Sequence, residues 1–184
     1  ELNIGGVERG TKDFSKVLVN KGHRSIVISN GGIFEKDIIN DGGEHIKLPI
    51  HKKTLYSLFL SNQLKSIYER EKPDIVHIRS RMPAWINFLA FKKMSIKPLL
   101  VSTFHGLYST PFYSQVMAKV DHTIAISNTV KNYIIDKYKI NGDLVEAQMF
   151  AYIGMRSFKN LEISNKNTTG VKKNLSGGIL YFPD

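Results

Sequence analysis

The sequence predicts an α/β layer fold built on a doubly wound parallel sheet, and three observations carry that prediction. Short runs rich in β-branched and apolar residues alternate with segments whose apolar residues recur at helical spacing. Several of the strand-like runs are continuously apolar, the pattern of strands buried on both faces by crossover helices. Glycine, arginine and histidine residues follow these runs, which gathers them at one sheet edge, outside the strand carboxyl ends where such folds place ligands.

Taken in order, the chain opens on a stub of apolar sequence, Leu2-Asn3-Ile4, followed by the turn Gly5-Gly6. From residue 11 to residue 20, Phe14, Val17 and Leu18 recur at helical spacing, and Gly22 is placed as a stop. Residues 24–29 read as a β-branched strand that breaks at Asn30-Gly31-Gly32. Phe34, Ile38 and Ile39 predict a short helix ending near Gly42-Gly43, and residues 44–48 alternate as a strand up to Pro49. Residues 55–68 form an amphipathic helix halted by Lys72-Pro73. Residues 74–78 are the next strand, and its loop, Arg79-Ser80-Arg81-Met82-Pro83, leads into a helix carrying Trp85, Phe88, Leu89 and Phe91. Residues 98–102 are strand-like and closed by Phe104-His105-Gly106. A short helix about residues 112–119 precedes a strand over 121–126, and Ser127 caps a helix that runs to Tyr138. The class is therefore Rossmann-like. Beyond Asn141-Gly142 the rhythm fails. Residues 143–155 admit a helix, but residues 157–178 are polar and rich in glycine, asparagine and lysine. This shift predicts a boundary between a lobe, residues 1–142, and an atypical, poorly packed tail, residues 143–184.

At 184 residues the chain is long enough for one domain with a full core, and no stretch is long and apolar enough to cross a membrane. A formal net charge of +10, from 26 Lys+Arg against 16 Asp+Glu, raises nucleic acid and anionic membrane as partners. The lysines are dispersed, however. Lys52-Lys53, Lys92-Lys93 and Lys172-Lys173 are short pairs with no aromatic-basic ladder beside them. A solvated surface ranks first, an anionic membrane surface second, and a nucleic-acid partner is not expected. The absence of cysteine removes disulfides, thiolate catalysis and cysteine metal sites together. His23, His45, His51 and His122 share no ligand spacing, so neither a metal nor a cofactor is expected. The expected location is cytoplasmic, with peripheral attachment at the inner face of the plasma membrane.

The strongest local signal is the Gly5-Gly6 turn. Without Cβ atoms the backbone approaches a ligand closely, and the free amides and positive dipole end of the following helix favour a phosphate or carboxylate. Glycine pairs also make plain turns, and the glycines here complete neither the dinucleotide fingerprint nor a phosphate loop. Arg79 and Arg81 offer forked donors for an anion, or pin their own loop. His105, between an aromatic residue and Gly106, is a site candidate or an ordinary loop histidine. His77, inside a strand, reads as a hydrogen-bonded core histidine, and Trp85 as core. Ser127 reads as a helix cap, since no acid-histidine partner is spaced for a nucleophilic serine. Glu8 and Arg9 pair with each other or support the turn.

These pieces, Gly5-Gly6-Val7-Glu8-Arg9-Gly10-Thr11, Lys21-Gly22-His23, Pro73-Asp74-Ile75-Val76-His77-Ile78-Arg79-Ser80-Arg81, Thr103-Phe104-His105-Gly106 and Ile124-Ala125-Ile126-Ser127, resemble in order the N-terminal lobe of a two-lobed (GT-B) retaining glycosyltransferase of family 4. The resemblance covers roughly the first three quarters of the chain. It implies transfer of a sugar from a nucleotide-sugar donor to a lipid-linked or polysaccharide acceptor, as in lipopolysaccharide or capsule assembly at the cell envelope. It places Gly5 and Gly6 at the donor's phosphates and sugar and His105 at the transferred sugar. Arg79, Arg81 and Arg9 become acceptor- or anion-binding candidates, with Glu8, Gly106 and Ser127 in support. The family's second lobe, with its nucleotide pocket and characteristic pair of glutamates, has no counterpart here, and no two glutamates stand at that spacing. The first strand is mostly absent, which leaves the sheet without a central member. The expectation is a fragment, cut short or shifted in frame near residue 142 and inactive by itself. The alternative is a non-catalytic α/β module that binds an anionic or phosphorylated ligand at the same strand ends.

Overall fold

The computed structural model describes residues 1–52, 54–108, 111–140, 145, 146 and 173. Helix α1 (Gly6–Asn20) starts directly from Gly5, which is extended at φ −179° and ψ 159°. Strand β1 (Ile26–Ser29), helix α2 (Glu35–Asn40) and strand β2 (Glu44–Lys47) follow. Helix α3 (Leu55–Glu71) is capped by Thr54, whose hydroxyl accepts the Ser57 N–H at 3.3 Å. It ends at Lys72, left-handed at φ 47°, because Pro73 prevents its continuation. Strand β3 (Ile75–Ile78), helix α4 (Arg81–Phe91) and strand β4 (Leu99–Phe104) come next. The short helix α5 (Pro111–Ser114) continues as a 3-10 turn over Gln115–Ala118, followed by strand β5 (His122–Ala125), helix α6 (Asn128–Tyr138) and strand β6 (Val145–Glu146).

Every strand pairing is parallel, so each step between neighbours needs a crossover, and helices fill most of them. Strands β3-β4-β5-β6 lie in sequence order, with Ile75 opposite Leu99, Val101 opposite His122 and Thr123 opposite Val145. Strands β1 and β2 form a second ladder, with Ile26 opposite Glu44. The Rossmann-like class is as predicted. Among the described residues, however, no ladder joins β1 to β3. Residues 2–4 form no strand. Leu2, 3% exposed, instead donates its N–H to the Gly31 carbonyl at 2.8 Å, and its carbonyl accepts the Phe34 N–H at 3.2 Å. This ties the chain to the loop beyond β1. Gly32, at φ +143°, permits the approach, since a Cβ there would come within 2.6 Å of the Leu2 backbone.

The core lies between the main sheet and the helices that cross it. Leu64, Ile86, Phe104, Met117 and Ile134 are all but inaccessible to solvent. Helices α3 and α4 also meet through a polar link: the Tyr68 hydroxyl donates to Asn87 Oδ1, and Asn87 Nδ2 donates to the Pro83 carbonyl at 2.8 Å.

Several boundaries differ from the sequence prediction. Helix α1 begins at Gly6 rather than residue 11, so the glycine pair is the cap and first helical residue and not a loop before the helix. Helix α4 begins at Arg81, which moves Arg81 out of the loop. Pro83 then sits in the first turn, where a missing N–H costs nothing. The helix expected over 112–119 is broken into two single turns. Residues 145 and 146, expected within a possible helix, are strand β6 beside Thr123 and Ile124. The 142 boundary and the rest of the expected tail lie outside the described residues.

Candidate functional site

The strand carboxyl ends bring Gly5, Gly6, Glu8, Arg79 and His105 together, by elements distant in sequence. Gly5 has no side-chain cap, so α1 presents unpaired amides at its start. The Glu8 carboxylate, in the first turn, folds back over Gly5, where a Cβ would collide with it. At Gly6 a Cβ would meet nothing within 4 Å, so no neighbouring group accounts for that glycine.

Arg79 follows β3 directly and turns towards α1. Its guanidinium lies against Gly10, where a Cβ would stand 3.1 Å from Nη2. Burial pulls the Arg79 pKa below its usual value, and the negative charge of Glu8 opposes that shift. His105 follows β4 and is half-buried. Burial first, and then the positive charge of Arg79, push its pKa down to about 4, so its ring is neutral near pH 7. Arg79 Nε and His105 Nε2 are both buried without a hydrogen-bond partner among the described residues. Two buried polar nitrogens left unpaired are costly unless a ligand completes them.

His77 lies behind this pair. Its Nε2 is 2.7 Å from Thr103 Oγ1 across the β3–β4 ladder, and its ring meets the edge of Phe14 on α1. Burial, then Arg79 and His105, hold it near pKa 4. The expected hydrogen-bonded core histidine is what the structure contains.

The remaining candidates go elsewhere. Arg81 lies over two tyrosines: its guanidinium is 4.8 Å from the Tyr108 ring and 5.5 Å from that of Tyr113. Arg9 does not pair with Glu8, as the sequence allowed. It points outward, 3.9 Å from Asp13 one turn on, because successive helical residues face different directions. Ser127 caps α6, its hydroxyl accepting the Val130 N–H at 3.2 Å. Gly106 lies in the open bend after His105, with nothing within 4 Å of its Cβ position.

Sequence reasoning missed the tyrosine brace that holds this bend. The Tyr133 hydroxyl, on α6, donates to the Tyr108 carbonyl, and the Tyr108 hydroxyl accepts the His105 N–H at 3.5 Å. Tyr108 also packs on Phe104, and Trp85 Nε1 donates to the Tyr113 carbonyl at 2.9 Å. The density of aromatic residues between 104 and 113 is the sequence signal that could have found it. Among the described residues, no three histidine, aspartate or glutamate side chains are grouped to hold a metal ion.

The chain and its fold have relatives among known proteins. A solved glycosyltransferase from Rickettsia africae ESF-5 superimposes with a TM-score of 0.66 at 35% identity, covering 77% of this chain and 38% of its own. A UDP-N-acetylglucosamine 2-epimerase from Rickettsia bellii shares the fold, with a TM-score of 0.54 at 13% identity over 85% of this chain and 47% of the other. A component of the human phosphatidylinositol N-acetylglucosaminyltransferase is 26% identical over 159 residues, 78% of this chain and 33% of that protein. A separate similarity is confined to 47 residues, 26% of this chain, at 53% identity to an anhydro-N-acetylmuramic acid kinase of Pelagibacter ubique, of which it covers 12%. The chain thus spans less than half the length of each of these relatives. The sequence profile described as Glycosyltransferase Family 4 matches residues 4–147, and the chain belongs to that family.

Proposed function

We propose that this chain is the acceptor-side lobe of a sugar-nucleotide-dependent, retaining glycosyltransferase. The carrying observation is that Arg79 Nε and His105 Nε2 are both buried without a partner among the described residues, with the Arg79 charge acting on His105, near the uncapped start of α1 where Glu8 folds over Gly5. The donor's diphosphate meets the α1 amides and the Arg79 fork, which stabilise the negative charge that grows as the bond from the sugar's C1 to the phosphate oxygen breaks. The acceptor oxygen bonds to C1 on the face the leaving group departs from, and its proton passes to the departing phosphate. His105, being neutral, orients a sugar hydroxyl rather than supplying charge. No metal is needed, because the amides and arginine take its electrostatic role.

The acceptor is a lipid-linked or polysaccharide glycan, and the enzyme works at the cytoplasmic face of a membrane. The lobe, residues 1–142, supplies one wall of the cleft and does not turn over alone. Coverage of only 38% of the Rickettsia africae transferase supports that reading. The kinase-like segment fits best at the end of the chain, in and just before residues 143–184, because the family match accounts for residues 4–147. At 47 residues it is too short to carry a kinase fold of its own.

The test is donor binding and turnover with UDP-N-acetylglucosamine as the first donor, given the name of the human relative. In the intact transferase, Arg79→Met is expected to lower turnover roughly hundredfold, in line with loss of one charge-stabilising donor. His105→Ala should lose turnover with smaller change in donor affinity. Unaltered turnover in both variants overturns the reading. Binding of the nucleotide without transfer to any glycan favours the second reading, a non-catalytic anion-binding module, which the same two unpaired nitrogens would serve.

A further inference from the structure

At the opposite sheet edge from His105, where β4 and β5 begin, lies a cleft of about 620 Å3 lined by Phe88, Pro98 and Leu99 and by Lys92, Lys97 and Lys119. The ammonium groups of Lys92 and Lys119 stand 4.7 and 5.4 Å from the centroid of the Phe88 ring, so two cations share one aromatic ring. Among the described residues none of the three lysines pairs with a carboxylate, whereas Lys16, Lys65 and Lys139 elsewhere do. The cleft's own carboxylate, Asp121, is engaged, accepting the Leu100 N–H at 2.7 Å.

Apolar side chains stand in solvent beside these charges. Ile96, next to Lys97, is 88% exposed, and the register partners Ile75 and Leu99 at the start of the strands are 57% and 41% exposed. Uncompensated cations around an apolar floor, with isoleucine and leucine projecting between them, match a surface that offers phosphates above hydrocarbon. A polyanion without an apolar layer, such as a nucleic acid, would leave Ile96 and Leu99 unsatisfied.

We infer that this cleft docks the protein on an anionic lipid bilayer, with Lys92, Lys97 and Lys119 on headgroup phosphates and Ile96 and Leu99 entering the interface. The inference rests on the peripheral-membrane reading above and is independent of sugar transfer. Docked in this way, the strand carboxyl ends face away from the bilayer, open to a soluble donor and to an acceptor glycan long enough to reach them from the membrane surface.

Cosedimentation with vesicles of phosphatidylcholine alone, and of phosphatidylcholine mixed with phosphatidylglycerol, tests it. The protein should partition to the mixed vesicles only. The triple variant Lys92→Glu, Lys97→Glu, Lys119→Glu should lose partitioning by at least roughly hundredfold, the effect of removing three surface lysines alone. Ile96→Ser should lose it severalfold. A control of equal charge change on other faces, Lys21→Glu, Lys36→Glu, Lys137→Glu, should retain most of it. All six lysines are solvent-exposed, so folding is checked simply by thermal melting. Indifference of the unaltered protein to lipid charge overturns both this inference and the peripheral reading. Equal loss in the triple variant and the control overturns the cleft alone. Release from vesicles by inorganic phosphate, but not by chloride at the same ionic strength, would reveal a soluble phosphate site and overturn docking.

Discussion

Arg79 carries the clearest conflict between folding and function at the scale of single residues. A half-buried guanidinium whose Nε is shut away from water and unpaired costs stability that only a ligand restores. Arg79→Met is therefore expected to raise the melting temperature of the ligand-free protein, by about 1 kcal/mol of stability, while abolishing anion binding. A lower melting temperature would mean that Arg79 holds α1 in place structurally. His77 and His105 make a second residue-scale prediction. Their folded pKa values near 4 lie below the unfolded value of 6.5, so the unfolded chain binds more protons between those limits. Stability is full above about pH 6.5 and is lost as pH falls towards 4. Urea midpoints at pH 7 and pH 5 measure the drop. His77→Gln, which keeps a partner for Thr103, should flatten the profile by up to about 3 kcal/mol, and an unchanged profile would show that the ring is open to water.

Caps and crossings decide the elements. Ser127 is the side-chain cap of α6, and Ser127→Ala should cost about 1 kcal/mol in denaturant midpoint without altering the slope. Between α3 and α4, Tyr68 is deeply buried and its pKa is raised by that burial, so its hydroxyl stays protonated and serves Asn87. Tyr68→Phe leaves Asn87 Oδ1 without that donor, an expected loss of about 1–3 kcal/mol by the same measurement. A near-zero change would place water at that oxygen. The glycine-rich turns were easy to read as punctuation, yet their reasons differ. Gly32 admits the Leu2 backbone, whereas Gly6 faces open space at the site.

For the whole molecule, the division into two parallel ladders sets the order of local opening. Strand β4 is paired on both sides, while β1 and β3 each keep one edge without a ladder partner among the described residues. Hydrogen exchange should be slowest in β4 and faster in β1, where amides lack a second strand. Protection of β1 equal to that of β4 would show that another segment covers its edge. The tyrosine brace from α6 through Tyr108 to the His105 bend couples the site to the last described helix, so the site depends on elements far apart in sequence.

The sequence by itself determined the alternation of strands and helices, the parallel class and most helix ends. Those features depend on local periodicity, on caps such as Ser127 and on stops such as Pro73. It also pointed to Arg79 and His105, because polar residues after apolar strand runs lie at the strand carboxyl ends, and to Gly5 and Gly6, because a glycine pair before a helical pattern marks a helix start. Only the tertiary structure set Arg79 against Gly10 and Arg81 on Tyr108 and Tyr113, sent Arg9 to Asp13, folded Glu8 over Gly5 and split the sheet. Each of those outcomes depends on what a side chain or strand edge meets across space, and sequence spacing does not contain that information.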